Sequence, residues 1–284
     1  MTLTGKGKIA GVIGWPIAHS VSPTLHGYWL GEEKVDGALV PLAVKREDFA
    51  RVVGALQLAG FRGANVTLPH KEAAFALADQ CDDAAKAAGA ANLLIFHPQG
   101  SIEARNTDSV GLRESLRESL GDLKGRAVVL LGAGGAARGA VVALNELGAS
   151  RVHILNRDPD KAAHVAKALK PMVASTLEAG ALEDWPKLAA SADLLVNTTS
   201  AGMTGHPALA LEVAGLKPSA AVMDIVYNPL ETPLLTDAKA RGHITIDGLG
   251  MLMHQAVPSF EAFFGVRPKV TSGLRKHLER SLNA

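Results

Sequence analysis

Residues 126–157 read RAVVLLGAGGAARGAVVALNELGASRVHILNR. Residues 128–131, VVLL, form an unbroken apolar run, the pattern of a parallel strand covered on both faces. Gly132, Gly134 and Ala137 then fit G-x-G-x-x-G/A. A helix is expected over 136–148, stopped by Gly148, and 152–155 is the next strand. Strand, glycine turn, helix and strand make a dinucleotide-binding βαβ unit. The loop Gly132, Ala133, Gly134, Gly135 and Ala136 lets backbone approach a pyrophosphate. The helix N-terminus offers it unpaired N–H groups and a positive dipole end. The glycine pattern alone also occurs in tight turns that bind nothing; the flanking strands and helix give it meaning here.

Around this unit the totals are those of an α/β protein. The 284 residues are 48% hydrophobic and 20% charged, with 29 glycines, enough chain for two domains of ordinary size. A formal net charge of +1 gives no electrostatic reason to expect nucleic acid or an anionic membrane as partner. Cys81 is the single cysteine, so no internal disulfide is possible and a reducing, cytoplasmic setting is expected. The N-terminal residues lack the apolar core of a signal peptide, and no apolar run approaches the ~18 residues of a membrane span. The ten histidines show no metal-ligand spacing such as H-E-x-x-H, so no metal site is expected.

Before the nucleotide unit, strands are expected at 8–13, 38–44, 63–67, 92–96 and 102–105. Helices are expected from Ser22, as N-cap with Pro23 at the first helical position, to Leu30, and over 47–59 and 71–79. This third of the chain alternates strand and helix and reads as an α/β layer of its own. A helix at 108–120 leads into the nucleotide domain. There, strands at 193–198, 220–226 and 243–246 and helices at 161–169 and 232–241 follow the βαβ unit. Two C-terminal helices, 249–264 and 271–282, close the chain, with Pro258 expected to kink or break the first.

Several expected strand ends are too polar for packing to explain. Ser20 and Ser22 precede the first helix, where capping is the simpler role. Residues 65–71, NVTLPHK, put Asn65, Thr67 and Lys71 at one strand terminus, the edge where open α/β sheets bind ligands. Asn92 starts a strand. Asn106-Thr107-Asp108 joins a strand to a helix, with Asp108 as a simple N-cap. A lysine and a carboxylate converging from two such ends would be chemistry rather than capping.

Taken together, IGWPIAHSVSP, GANVTLPHKE, GAANLL, NTD, LGAGGAARGA, NTTSAGM, DIVYNPLETPLL and DGLGMLMHQAV run in order through nearly the whole chain. The sequence resembles the shikimate/quinate dehydrogenase family. The resemblance implies two α/β domains around a cleft, the nucleotide domain a Rossmann-like doubly wound parallel sheet. It implies a substrate domain of 1–107 plus 248–284 and an NADP-binding domain of 108–247. The implied reaction is the reversible NADPH-dependent reduction of 3-dehydroshikimate to shikimate, a step of chorismate and aromatic amino acid biosynthesis.

By motif, Ser20 and Ser22 would hold the substrate carboxylate, and Tyr227 would lie near it. Asn65, Thr67, Asn92, Asp108 and Gln255 would contact ring hydroxyls, and Lys71 and Asp108 would be the catalytic pair. Ile225 would contact the cofactor, and Gly248 would sit near the nicotinamide. NADP rather than NAD is expected because the second nucleotide strand ends in Asn156-Arg157, not in the acidic residue that holds a ribose 2′-hydroxyl. Arg157 and Lys161 can pair a 2′-phosphate.

Three positions depart from the family pattern: Leu93 and Asp158 where threonine is usual, and Ser109 where glycine is usual. An NAD-preferring quinate/shikimate enzyme and a non-catalytic ligand-binding regulator on the same scaffold remain as alternatives. The chain is expected to act as a monomer or homodimer on a small-molecule substrate.

Overall fold

A computed structural model describes residues 3–282. They form two compact units, one up to Thr107 resumed from Met253, the other Asp108–Leu252. The chain returns to the first unit inside a continuous helix, five residues beyond the expected boundary at 248.

The first unit contains β1 (Lys8–Gly14), α1 (Ser22–Glu32), β2 (Gly37–Ala43), α2 (Phe49–Leu58) and β3 (Gly63–Val66). Then come α3 (Lys71–Leu77), β4 (Gln80–Cys81), α4 (Asp83–Ala88), β5 (Leu93–Phe96) and β6 (Ile102–Arg105). The sheet order is β2-β1-β3-β5-β6-β4. Strand β5 runs antiparallel to both β3 and β6. This explains why a polar residue at the start of one strand, Asn92, joins polar residues at the ends of two others. The short β4 and α4 escaped the sequence pattern, because two residues and one alanine-rich turn carry no readable period.

The second unit contains α5 (Asp108–Leu120), β7 (Ala127–Leu131), α6 (Gly135–Glu146), β8 (Arg151–Asn156), α7 (Pro159–Leu169) and β9 (Thr176–Ala181). It continues with α8 (Trp185–Leu188), β10 (Leu194–Asn197), β11 (Ala221–Asp224), α9 (Pro233–Ala240) and β12 (Ile244–Ile246). Its six strands are ordered β12-β11-β10-β7-β8-β9, and every pair is parallel. Counted from β7, that is the 3-2-1-4-5-6 order of the dinucleotide fold, with its switch point between β7 and β10. Val128, Leu130, Ile154, Leu194, Leu195 and Val222 are fully buried, as strands covered on both faces require. Strand β9, TLEAGA, is an edge strand with an exposed face, and its mixed composition hid it from the sequence reading.

The last helices are α10 (Gly248–Phe264) and α11 (Ser272–Leu282). The part of this segment from Met253 onward completes the core of the first unit. Trp29 packs edge-on against Phe260 at 5.5 Å and donates from Nε1 to the Lys269 carbonyl at 3.0 Å. Pro258 neither breaks α10 nor ends it. The N-cap of α1 is Val21, which makes no side-chain capping bond, so Ser22 lies inside the helix rather than capping it. Asp108 likewise is the first residue of α5 rather than the residue before it.

Candidate active site

In the first unit the sheet register sets the polar residues side by side. Asn65 is opposite Leu93 across β3 and β5, and Leu93 is opposite Arg105 across β5 and β6. The residues just outside this row, Asn92 and Asn106-Thr107, therefore share its edge. The Val66 N–H donates to the Asn92 carbonyl at 2.8 Å, and the Asn92 N–H to the Arg105 carbonyl at 3.1 Å. Leu93 is the first residue of β5 and is fully buried. Its substitution for threonine is a core choice.

Lys71 opens α3 one tight turn after β3. The His70 N–H donates to the Thr67 carbonyl at 3.0 Å, and the Lys71 carbonyl accepts from Ala91 N–H at 2.8 Å. The lysine is thus tied by its backbone to the residue preceding Asn92. His70 is fully buried, with Nε2 donating to the Val44 carbonyl at 2.8 Å and its ring stacked on Phe49 at 4.8 Å. It is a structural neighbour of the lysine, as its motif position allowed.

The segment carrying Ser20 is brought to the same edge by Gly14. A Cβ at that position would stand 2.6 Å from Thr67 Cγ2, so only glycine permits the approach. The Trp15 N–H then donates to the Leu68 carbonyl at 3.1 Å. Ser20 Oγ accepts from the Ser22 N–H at 3.3 Å, leaving its hydroxyl proton for another acceptor. Asn65 is 7% exposed, and neither its amide oxygen nor its amide nitrogen has a hydrogen-bond partner. A buried amide in that condition costs stability, and a polar ligand offering both a donor and an acceptor would relieve it.

Asn92, Thr107 and Gln255 form one cluster. The Thr107 N–H donates to Asn92 Oδ1 at 2.8 Å, and Asn92 Nδ2 donates to Gln255 Oε1 at 3.3 Å. Thr107 precedes Asp108 in the NTD motif. It drew no role itself because a threonine at a strand–helix junction reads as a turn residue.

In the second unit, Gly132 has φ +114°, and a Cβ there would meet Thr198 Oγ1 at 2.7 Å. The turn therefore needs glycine on both conformational and packing grounds. No side chain caps α6 at Gly134, and its first backbone bond runs from Arg138 N–H to the Gly134 carbonyl at 3.1 Å. The N–H groups of Gly135, Ala136 and Ala137 thus face the switch point without a helical acceptor, which fits a dinucleotide pyrophosphate. Gly139 lets α6 pack on α5: a Cβ there would touch Ser109 N at 3.5 Å and Asp108 Cβ at 3.7 Å.

At the end of β8, Asn156 Nδ2 donates to the Asp158 carbonyl at 3.0 Å. Asp158 caps α7, accepting from Asp160 N–H at 3.2 Å and Lys161 N–H at 3.4 Å. Lys161 Nζ stands 3.7 Å from the same carboxylate, so part of its charge is neutralised within the protein. Arg157 is exposed. The departure from threonine at 158 is therefore a helix cap with its carboxylate engaged by backbone, and Arg157 and Lys161 both face solvent.

The far end of this nucleotide edge is organised by Asp224, a residue to which the sequence reading gave no role. It is fully buried. Its Oδ1 accepts from Asn197 Nδ2 at 3.0 Å and Val226 N–H at 3.1 Å, and its Oδ2 from Thr232 Oγ1 at 2.8 Å. Burial pushes its carboxyl up to about 6, opposed by those three bonds. The network shapes the turn carrying Ile225 and Tyr227. Gly248 sits against it so closely that a Cβ would lie 2.1 Å from the Ile225 carbonyl oxygen. Burial also raises the Tyr227 phenol above its ordinary value. Among the described residues there is no cluster of three or more His, Cys, Asp or Glu that would hold a metal ion, and no helix long and apolar enough to cross a membrane.

A doubly wound sheet with a glycine turn at its switch point, joined to a second α/β unit whose sheet edge is lined with amides, defines a nicotinamide-dinucleotide-dependent oxidoreductase. Residues 12–94 match the family model described as shikimate dehydrogenase substrate binding domain, and 114–225 match shikimate / quinate 5-dehydrogenase. A shikimate dehydrogenase (NADP(+)) of Acidiphilium cryptum is 50% identical over 285 residues, covering 99% of each chain. Among solved structures, the shikimate 5-dehydrogenase of Thermus thermophilus in complex with NADP(H) and shikimate superposes with a TM-score of 0.85. It is 34% identical over 96% of this chain and 99% of its own. The quinate dehydrogenase of Corynebacterium glutamicum in complex with NAD has a TM-score of 0.88 at 30% identity, covering 96% and 98%. The chain belongs to the shikimate dehydrogenase family.

Proposed function

We propose that the protein is an NADP-dependent shikimate dehydrogenase, reducing 3-dehydroshikimate to shikimate reversibly. The observations that carry this reading are the buried, unpartnered amide of Asn65 at a sheet edge and the Asn92–Gln255 pair, with Lys71 tied by its backbone to Ala91 next to Asn92. Such a surface suits a small polyhydroxylated substrate, and amides set to pair hydroxyls reject analogues that lack them. The relatives named NADP(+) enzymes, and the Thermus structure holding NADP(H) and shikimate, support the same substrate and cofactor.

On this reading Ser20 and Ser22 donate hydroxyl protons to the substrate carboxylate, with Tyr227 contributing from the second unit. Asn65, Thr67, Asn92 and Gln255 pair the ring hydroxyls. Lys71 stands beside the carbonyl oxygen, where its ammonium stabilises the negative charge that builds there and transfers a proton to it. Asp108 orients that ammonium and accepts from a neighbouring substrate hydroxyl. Gly132, Ala133, Gly134, Gly135 and Ala136 hold the pyrophosphate, and Asn156, Arg157 and Lys161 hold the adenosine end with its 2′-phosphate. Ile225 and Gly248 bound the nicotinamide. Bound NADPH supplies the hydride. The reading includes a cytoplasmic setting, with which the lone cysteine agrees, and an enzyme working as a monomer or homodimer without metal.

The test is 3-dehydroshikimate-dependent oxidation of NADPH by the purified protein, with product identified as shikimate, and its loss in Lys71→Ala. A protein that binds shikimate but turns over neither nucleotide would replace the enzyme reading with the regulator.

A further inference from the structure

We propose that the buried Asn197–Asp224 pair positions the nicotinamide half of the cofactor, acting through one oxygen of Asp224 on the backbone turn at Ile225. The inference rests on the functional reading above, in which the second unit binds NADP. A dinucleotide lies across the switch point of a doubly wound sheet, one half on each side. Here the pyrophosphate turn follows β7, and Arg157, just past the end of β8, takes the adenosine half on that side. The nicotinamide half therefore lies over the carboxyl ends of β10 and β11. Those ends are Asn197 and Asp224, opposite each other in the register and both fully buried.

Donors that allow no choice orient the pair. The Thr199 backbone N–H donates to Asn197 at 3.0 Å, so the atom it meets is Oδ1, which also accepts the Thr199 hydroxyl at 2.7 Å. The Asn197 NH2 is thereby turned to Asp224 Oδ1, 3.0 Å away. The same carboxylate oxygen accepts the Val226 N–H at 3.1 Å. Oδ2 has a separate partner, the Thr232 hydroxyl at 2.8 Å, and Thr232 Oγ1 in turn accepts the Leu235 N–H as the cap of α9. Oδ1 thus joins the loop after β10 to the turn after β11, whereas Oδ2 joins that turn to α9. Backbone bonds hold the rest of the turn: the Ile225 N–H donates to the Asn197 carbonyl at 3.1 Å, and the Gly248 N–H to the Val226 carbonyl at 3.2 Å. With the peptide groups on both sides of it held, the half-buried Ile225 keeps one place at the nicotinamide end of the edge.

The two oxygens of Asp224 supply the test. Asp224→Leu leaves the Val226 N–H and the Asn197 NH2 buried without an acceptor. Thr232→Val removes the donor to Oδ2 and the cap of α9 but leaves every Oδ1 bond. Asp224→Asn can keep an oxygen at the Oδ1 position and turn its NH2 to Thr232. The assay is a single turnover with enzyme in excess of NADPH and saturating 3-dehydroshikimate. A shift of about 1 Å in the reacting groups costs up to roughly a hundredfold, so Asp224→Leu should lower the rate constant of NADPH oxidation by roughly ten- to a hundredfold. The Kd of NADP+ should stay near that of wild type, because the phosphate contacts lie at β7 and β8. Thr232→Val should melt earlier yet keep the wild-type rate constant, and Asp224→Asn should keep it too. Hydrogen exchange in the ligand-free proteins reads the turn without turnover: the Thr199 and Val226 amides should exchange faster in Asp224→Leu and not in Thr232→Val. Should Asp224→Leu fail to fold, Asn197→Ala, which removes the partner of Oδ1, carries the same expectations. A wild-type rate constant in the variant that folds would overturn the inference, as would unchanged exchange at both amides. So would a Thr232→Val as slow as Asp224→Leu, because the rate would then follow stability. Wild-type protein without shikimate activity would instead overturn the functional reading beneath it.

Discussion

Replacing Asn65 with leucine separates stability from binding at a single position. The asparagine is 7% exposed, and both ends of its amide are buried without a hydrogen-bond partner. Each buried unpaired polar group costs about 1–3 kcal/mol, whereas an apolar group of the same shape is close to neutral. Leucine keeps the same branched heavy-atom skeleton. Asn65→Leu should therefore stabilise the ligand-free protein by about 2 kcal/mol, even if the native site relaxes around one of the two groups. For a domain of this size that is a rise in Tm of roughly 4–8 °C. The same change removes one donor and one acceptor offered to substrate hydroxyls, weakening shikimate by roughly tenfold to a hundredfold. Thermal melts with and without a fixed excess of shikimate read both effects, because ligand stabilises the folded state by RT ln(1 + [L]/Kd). Wild type should show the lower ligand-free Tm and the larger shikimate-induced shift. A variant that melts earlier and keeps the full ligand shift would mean that Asn65 is a structural amide, and the pocket assignment would fail.

Four further outcomes follow from the same structure. Lys71→Ala should lower kcat by roughly 10²–10⁴-fold, with shikimate binding measured separately within a modest factor; near-normal kcat would remove the lysine from the chemistry. Ser20→Ala and Ser22→Ala should each weaken shikimate by about 1.5–3 kcal/mol while leaving the Kd of NADP+ unchanged; equal loss of both ligands would point to a damaged loop. Arg157→Ala should lose about ten- to a hundredfold in NADP+ affinity with little effect on NAD+, and parallel loss of both would place the arginine away from the 2′-phosphate. Two of the buried titratable groups, His26 and Asp224, should give opposite pH dependences. Burial holds the His26 imidazole down to about 4, so its contribution is lost as pH falls from about 6.5 to about 4. Asp224 is held up to about 6, so its contribution is lost as pH rises from about 4 to about 6. Asp224→Asn should therefore make the pH profile of stability in that window steeper on the acid side, and chemical denaturation at several pH values reads it; an unchanged slope would contradict the raised carboxyl.

The nucleotide unit was legible because its signals are local. An apolar strand, a glycine turn and a helix that ends before a glycine sit within 32 contiguous residues. The proposed substrate wall was legible as a set of polar residues at strand ends, but not as an arrangement. Nothing in the sequence near Asn92 announces that β5 runs antiparallel to its neighbours, and that reversal is what sets Asn92 beside Thr107 and Asn65. Ser22 and Asp108 were read as caps, yet each lies one position inside its helix, a distinction that depends on backbone angles rather than composition. Asp224 was invisible as a site residue because its partners, Asn197 and Thr232, come from separate segments. Pro258 was expected to disturb α10, but the helix continues through it; tertiary packing of Phe260, Phe263 and Phe264 against α1 outweighs the local preference.

The most direct measurement is kcat/KM for the purified protein with shikimate and with quinate, each with NADP+ and with NAD+. The account predicts that shikimate with NADP+ exceeds the other three combinations by at least about tenfold, the discrimination expected of a 2′-phosphate held by Arg157 and a pocket fitted to shikimate's hydroxyls. Quinate with NAD+ as the best pair, or no nucleotide reduction with either substrate, would contradict it.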